Sequence, residues 1–222
     1  MNCLPTQANA PDLSRRPVKA RSSTTIRAVA GALANMGVTP NQVSCASVVF
    51  ATLSSACMVP SAVAPSNARV ILLMCSAFFI QMRLLCNVLD GLIAIEGGKR
   101  TKYGELFNEI PDRISDSVVL VSAGYFCGSP EFGWAAAVCA LGTAYVRAIG
   151  AQFNREQDFG GPMAKQQRMF VLTFALVARA LLDNEPGAGM IVSSALILIT
   201  VGSVVTCMRR LSHTVRYIST NR

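Results

Sequence analysis

At 222 residues the chain can build one substantial domain or one small membrane bundle. It is 52% hydrophobic and only 14% charged, against roughly 25% charged in soluble domains, and this favours a membrane over the cytosol. The net charge of +8 comes from 20 Lys and Arg against 12 acids; aromatics are few and the cations lie between apolar runs, which argues for membrane loops and against nucleic acid as a partner.

Residues 1–22 are polar and Pro-punctuated, with Arg15, Arg16, Lys19 and Arg21. No apolar core follows closely enough for a signal peptide, so they read as a cytoplasmic tail. Residues 25–37, "TIRAVAGALANMG", predict a short amphipathic juxtamembrane helix. In "GVTPNQVS", Gly37 and Pro40 mark a break, with Thr39 or Asn41 capping the next helix.

Residues 23–222 then read as one membrane domain. Six apolar stretches span 41–60, 68–95, 105–128, 132–153, 166–183 and 187–208. A bilayer core needs about 20 helical residues, so the expectation is an all-α integral bundle of six transmembrane helices. The second to fourth carry charges, which places their cytosolic ends beyond the hydrocarbon. The eight cysteines show no C-x-x-C spacing and sit mostly in apolar runs, as small buried hydrophobes do. His213, the sole histidine, is assigned no role.

Charge asymmetry orients the spans. "EGGKRTK", "NREQDFGGPMAKQQR", "RRLSHTVRYISTNR" and the N-terminal tail hold most of the Lys and Arg. The opposite loops, "SAVAPSNAR", "GSPE" and "DNEPG", hold only Arg69. Both termini are therefore expected on the cytoplasmic side. No internal repeat supports an inverted-repeat transporter, which disfavours an ion carrier.

Ionisable groups within such spans are functional candidates by default. Asn87, Asp90, Gly91 and Ala94 share one face of the second span; Gly104, Asn108 and Asp112 share one face of the third, with Asp116 a turn further in. A short loop makes the two helices antiparallel neighbours, so the polar faces meet near the cytosol. Such oxygens suit a hard divalent cation that also holds phosphates. Gly91 and Gly104 clear space for a ligand. A polar seam gluing the two helices is the plainer alternative.

Residues at one depth of two antiparallel helices have a constant sum of numbers. Arg83 with Asp116 has the same sum as Asn87 with Asp112, which predicts a structural ion pair between Arg83 and Asp116. Arg147, Lys165 and Arg168 are candidate anion binders for an acceptor phosphate or headgroup, beside the "DFGGP" turn. Ordinary alternatives are snorkelling for Arg147 and positive-inside placement for the other two.

The pattern Asn87-x-x-Asp90-Gly91-x-x-Ala94-Ile95, eight residues, Gly104-x3-Asn108-x3-Asp112 resembles the motif of the CDP-alcohol phosphotransferase (CDP-alcohol phosphatidyltransferase) family, Asp-x-x-Asp-Gly-x-x-Ala-Arg, eight residues, Gly-x3-Asp-x3-Asp. Arg113 follows the last Asp as a basic residue often does in the family. The likeness covers roughly residues 38–210, with "TPNQVS" before the first span and "GGPMAKQQRM" before the fifth.

The resemblance implies a membrane transferase of phospholipid biosynthesis that moves a phosphatidyl group from a CDP-linked lipid donor to a polar acceptor alcohol, releasing CMP. It implies a divalent cation, Mg²⁺ or Mn²⁺, held by Asn87, Asp90, Asn108 and Asp112, with Asp112 as general base. Gly91, Ala94, Gly104, Arg147, Lys165 and Arg168 would line the substrate. Also implied are a homodimer, a bacterial inner (plasma) membrane and an active site facing the cytosol. Three positions depart: Asn87 and Asn108 stand for aspartates and Ile95 for arginine. Glu96, Glu105 and Glu109 are near enough in sequence to supply a ligand. The alternative reading is a non-catalytic relative that binds nucleotide-lipid or a partner membrane protein.

Overall fold

The computed structural model describes residues 23–96, 104–154 and 158–220, with backbone only at 96, 104–107 and 154. The tail 1–22, residues 97–103 and 155–157 of the two loops expected on the cytosolic side, and the side chains of Glu96 and Glu105, lie outside that description, and of Gly104 only its place in a helix is described.

All described regular structure is helical: α1 Thr24–Asn35, α2 Pro40–Ser61, α3 Ser66–Glu96, α4 Gly104–Phe126, α5 Pro130–Asn154, α6 Lys165–Leu181 and α7 Met190–Thr220. Gly37 ends the α1 turn at a φ of 86°, where a side chain would be strained. Of the two candidate caps, Thr39 starts α2: its hydroxyl accepts from Gln42 N at 3.3 Å while Gln42 Oε1 accepts from Thr39 N at 2.9 Å, with Pro40 in the first turn.

Helix α7 continues past the expected end at 208 to Thr220. Its basic end contains no Gly or Pro after Gly202, so nothing in the chain stops the ladder. At 31 residues each, α3 and α7 exceed the ~20 that span hydrocarbon, and their ends project beyond it.

Helix α2 packs on α3 and α4, α4 on α5, α5 on α7, and α6 on α3 and α7, while α1 rests on α3. Ala51, Met58, Leu73, Ile80, Leu120, Leu172, Leu196 and Ile199 fill the main core. A second cluster seats Ala30 of α1 against Cys86, Leu89 and Ile93 of α3. Small polar residues close the helix seams: Ser54 and Ser76 hydroxyls lie 2.8 Å apart between α2 and α3. Where α4 meets α5, a Cβ on Gly124 would come within 2.8 Å of the Gly133 backbone, so both positions must be bare for this approach.

The outward faces carry Leu53, Ile71, Phe78, Trp134, Phe170, Phe174 and Leu198 exposed, as a lipid-facing surface requires. Among the described residues, α2, α3, α5 and α7 are long and apolar enough to cross a membrane. The expected six is thus reached by length and composition in four. Helix α4 carries Glu109, Asp112, Arg113 and Asp116, and α6 has 17 residues with Arg168 and Arg179 inside it. The protein is an all-α, multi-spanning membrane bundle.

At the end opposite the polar faces, Ser66 Oγ donates to Asp183 Oδ2 at 2.6 Å, Arg69 Nη1 pairs with Asp183 at 3.1 Å, and Arg179 completes the clasp. The Ser66 hydroxyl foremost, then the two arginines, holds the Asp183 carboxyl down to about 2. Asp183 lies just past the end of α6, so this clasp ties α6 to the start of α3.

Candidate active site

Asp90 of α3 is buried, and its Oδ2 accepts the Ser44 hydroxyl of α2 at 2.8 Å. Its Oδ1 is buried with no hydrogen-bond partner. Asp112 of α4 is in the same condition: Oδ2 is paired with Lys165 Nζ, while Oδ1 is buried without a partner. Asp112 and Lys165 both lie within electrostatic reach of Asp90. Two carboxylates from α3 and α4, which both pack on α2 rather than closely on each other, therefore each keep one buried oxygen unspent, at a cost in desolvation that the fold has to carry.

Asn87 is half-buried, with an amide nitrogen that has no partner, and Asn108 is half-buried one turn before Asp112. Gly91 and Ala94 are partly exposed on the Asp90 face, and Ile95 is 47% exposed. Pro111 removes a backbone donor from the helical ladder immediately before Asp112.

A turn deeper, Asp116 is held from two sides. Arg83 of α3 pairs with Oδ1, and Arg168 of α6 with Oδ2 at 3.2 Å. Both guanidinium groups are almost fully buried. Arg83 Nη2 also donates to the Asp112 carbonyl at 3.4 Å, and Arg168 Nη1 donates to Thr143 Oγ1 at 3.1 Å and the Met163 carbonyl at 3.0 Å. The arginine expected to bind a substrate anion is thus committed to Asp116 and its neighbours. A buried guanidinium needs a counter-charge, and Asp116 supplies it, while Arg83 Nε and Nη1 and Arg168 Nε stay buried without a hydrogen-bond partner.

Arg147 of α5 binds Glu109 and lies over the Phe159 ring at 5.2 Å from its centroid. Glu109 also takes Arg113 at 2.7 Å, so this candidate substitute ligand is engaged by two arginines. The turn that brings Lys165 to Asp112 is fastened to α7. Asp158 Oδ1 accepts Gly160 N at 2.7 Å, the Gly160 carbonyl accepts Arg210 Nε at 3.0 Å, and Met163 N donates to Thr206 Oγ1 at 3.0 Å. Gly161 has a φ of 133°, and a Cβ there would run into Thr206.

Sequence reasoning missed three contributors: Ser44, Thr143 and the Met163 carbonyl. Ser44 had a signal, since Ser44 and Ser47 mark a polar face on an apolar helix; the other two had none. Among the described residues no three of His, Cys, Asp and Glu gather to hold a metal. The donor set is two aspartates with two asparagines, and the unpartnered Asp90 and Asp112 oxygens fit a hard cation.

The model of the family described as CDP-alcohol phosphatidyltransferase matches residues 37–208. The inner membrane protein YnbA of Escherichia coli (strain K12) is 26% identical over 138 residues, 60% of this chain, and the match spans 64% of that relative's length. The phosphatidylinositol phosphate synthase PgsA1 of Mycobacterium tuberculosis shares the fold. Its crystal structure with CDP-DAG bound superposes with a TM-score of 0.67 at 22% identity, covering 86% of this chain and 94% of that one. Its complex with manganese and citrate gives 0.66 at 23% identity, covering 86% and 88%. A divalent cation is thus associated with the family, through the manganese of that complex. With most of its length matched, and the matched segment carrying the spaced Asp90 and Asp112 faces, the chain belongs to the CDP-alcohol phosphatidyltransferase family.

Proposed function

We propose that this protein transfers a phosphatidyl (phosphoalcohol) group from a CDP-alcohol donor such as CDP-diacylglycerol to an acceptor hydroxyl, releasing CMP, in phospholipid biosynthesis. The observation that carries this reading is the pair of buried carboxylates, Asp90 and Asp112, each with an unpartnered oxygen.

Asn87, Asp90, Asn108 and Asp112 would hold the divalent cation, Mg²⁺ or Mn²⁺. When bound, it supplies charge neutralisation of the diphosphate and orients it. Ser44 keeps the Asp90 carboxylate in position through its 2.8 Å hydrogen bond. Asp112 accepts the proton of the acceptor hydroxyl. As the acceptor oxygen bonds to the phosphatidyl phosphorus, the bond from that phosphorus to the oxygen shared with CMP breaks, and its electron pair leaves with CMP. Gly91, Ala94 and Gly104 leave room for the donor beside these helices. Lys165 turns from Asp112 to a phosphate oxygen, and Arg147 faces the acceptor's anionic group. Arg83, Asp116 and Arg168 hold α3, α4 and α6 in register beneath the reacting layer.

In this reading α2 to α7 all cross the membrane within one domain, 23–222, preceded by a cytoplasmic tail at 1–22. Both termini and the active site face the cytosol of a bacterial inner membrane, and the assembly is a homodimer. Metal-dependent CMP release by the purified protein, screened over CDP-lipid donors and polar acceptors, tests the function. Asp90→Asn and Asp112→Asn are expected to lower release by at least ~100-fold with the helical fold intact. Wild-type turnover in either variant removes the mechanism. Nucleotide-lipid binding without any CMP release favours the non-catalytic reading, for which the Asn87, Asn108 and Ile95 departures speak.

A further inference from the structure

Among the described residues, the charges gathered at the site cancel. Asp116 is paired with Arg83 and Arg168, Asp112 with Lys165, and Asp90, bonded to the Ser44 hydroxyl, lies within electrostatic reach of Asp112 and Lys165, so three negative charges stand beside three positive ones. The adjoining set, Glu109 between Arg113 and Arg147, adds one positive charge. Cations set beside those carboxylates weaken the attraction they would otherwise exert on a bare divalent cation. Yet Asp90 and Asp112 each keep a buried oxygen without a partner, which is costly unless something cationic completes it. A species that satisfies both conditions brings positive charge to those oxygens and carries its own compensating negative charge. A divalent cation bound to a diphosphate diester does so, since its charges of two positive and two negative cancel.

We propose that the site takes its divalent cation together with the diphosphate, as one neutral unit, and that Lys165 keeps Asp112 neutralised until that unit arrives. This rests on the reading of the site as one for a CDP-linked donor. Lys165 is suited to the role because its ammonium sits on one oxygen of Asp112 and leaves the other open. Arrival of the unit exchanges one salt bridge for another: Asp112 goes to the cation and the ammonium goes to a phosphate oxygen. One cation then suffices, in keeping with two carboxylates rather than four. Cation and nucleotide each tighten the other by the same factor, as linkage demands.

The test titrates Mn²⁺ into the detergent-purified full chain, with free Mn²⁺ read by electron paramagnetic resonance. CDP-glycerol, a diphosphate diester with two negative charges, is absent or present, and a protein-free titration accounts for Mn²⁺ bound to the nucleotide in solution. The expected result is one Mn²⁺ per chain, held at least about tenfold more tightly with CDP-glycerol than without it. In Lys165→Gln, Mn²⁺ alone should bind about tenfold more tightly than in wild type, and the gain from nucleotide should shrink. Equal Mn²⁺ affinity with and without nucleotide, two Mn²⁺ per chain, or unchanged Mn²⁺ affinity in Lys165→Gln overturns the proposal. If both ligands bind but independently, the coupling fails and the phosphotransferase reading stands; if CDP-glycerol does not bind even with Mn²⁺, both fail. Should Lys165→Gln not fold, the wild-type comparison decides alone.

Discussion

Arg83 on α3 and Asp116 on α4 are joined in a buried ion pair one turn beneath Asp112, and Arg168 closes the other side of the same carboxylate. Three helices thus meet on a single anion. Removing that anion strands two buried cations, whereas removing one arginine leaves the carboxylate paired.

Asp116→Asn is therefore expected to destabilise the protein by about 3–5 kcal/mol, and Arg83→Met by less. Thermal unfolding in detergent measures the order. A charge swap, Arg83→Asp with Asp116→Arg, is not expected to restore stability, because the new arginine would face Arg168. Equal losses in the two single variants would show that Arg168 does not share the charge.

Ser44→Ala deletes the single described hydrogen bond to Asp90 Oδ2. The loss is worth about 1 kcal/mol, so divalent-cation affinity measured in the presence of nucleotide should fall about fivefold. An unchanged affinity would mean that Ser44 holds α2 to α3 without setting the carboxylate.

Asn87→Asp with Asn108→Asp returns two negative charges to the polar faces. Attraction for a divalent cation in a partly dehydrated site then rises, and calorimetric titration should show tighter binding of metal alone. Turnover need not rise with it. Equal or weaker binding would mean that these two residues do not face the cation.

Single cysteines at Lys99 and at Glu185, in a background without the eight native cysteines, report sidedness. Position 185 should label from outside intact cells, and position 99 only after the membrane is opened. Outside labelling at 99 would invert the topology and move the site with it.

The clasp on Asp183 predicts an acid limit. A carboxyl held at about 2 when folded, against ~3.9 when unfolded, adds stability that is complete above the unfolded value and fades as pH falls toward 2. Ser66→Ala should shrink this pH-dependent increment, seen as a smaller drop in melting temperature between about pH 5 and pH 2. The same drop in wild type and variant would remove Ser66 as the main cause.

The primary sequence alone determined the helical class, the approximate place of each helix from α2 to α6 and the two polar faces. Apolar run length, Gly and Pro breaks and the helical period are local properties, and they set these without any neighbour. The pairing of Arg83 with Asp116 was legible too, because antiparallel helices of equal rise turn residue numbers into depth. What the third helix brings to a pair is not written in either partner's segment. Arg168 and Lys165 open the same helix three residues apart, and both looked equally ready for an anion. Only the packing of α6 on α3, and the fastening of the preceding turn to α7, aimed Lys165 at Asp112 and sank Arg168 against Asp116. A buried charge takes its partner from whichever element comes near, and that is a property of three-dimensional packing. Helix α7 runs on past its apolar stretch to Thr220 for a local reason: hydropathy marks where the lipid stops, while a helix stops only where its backbone does.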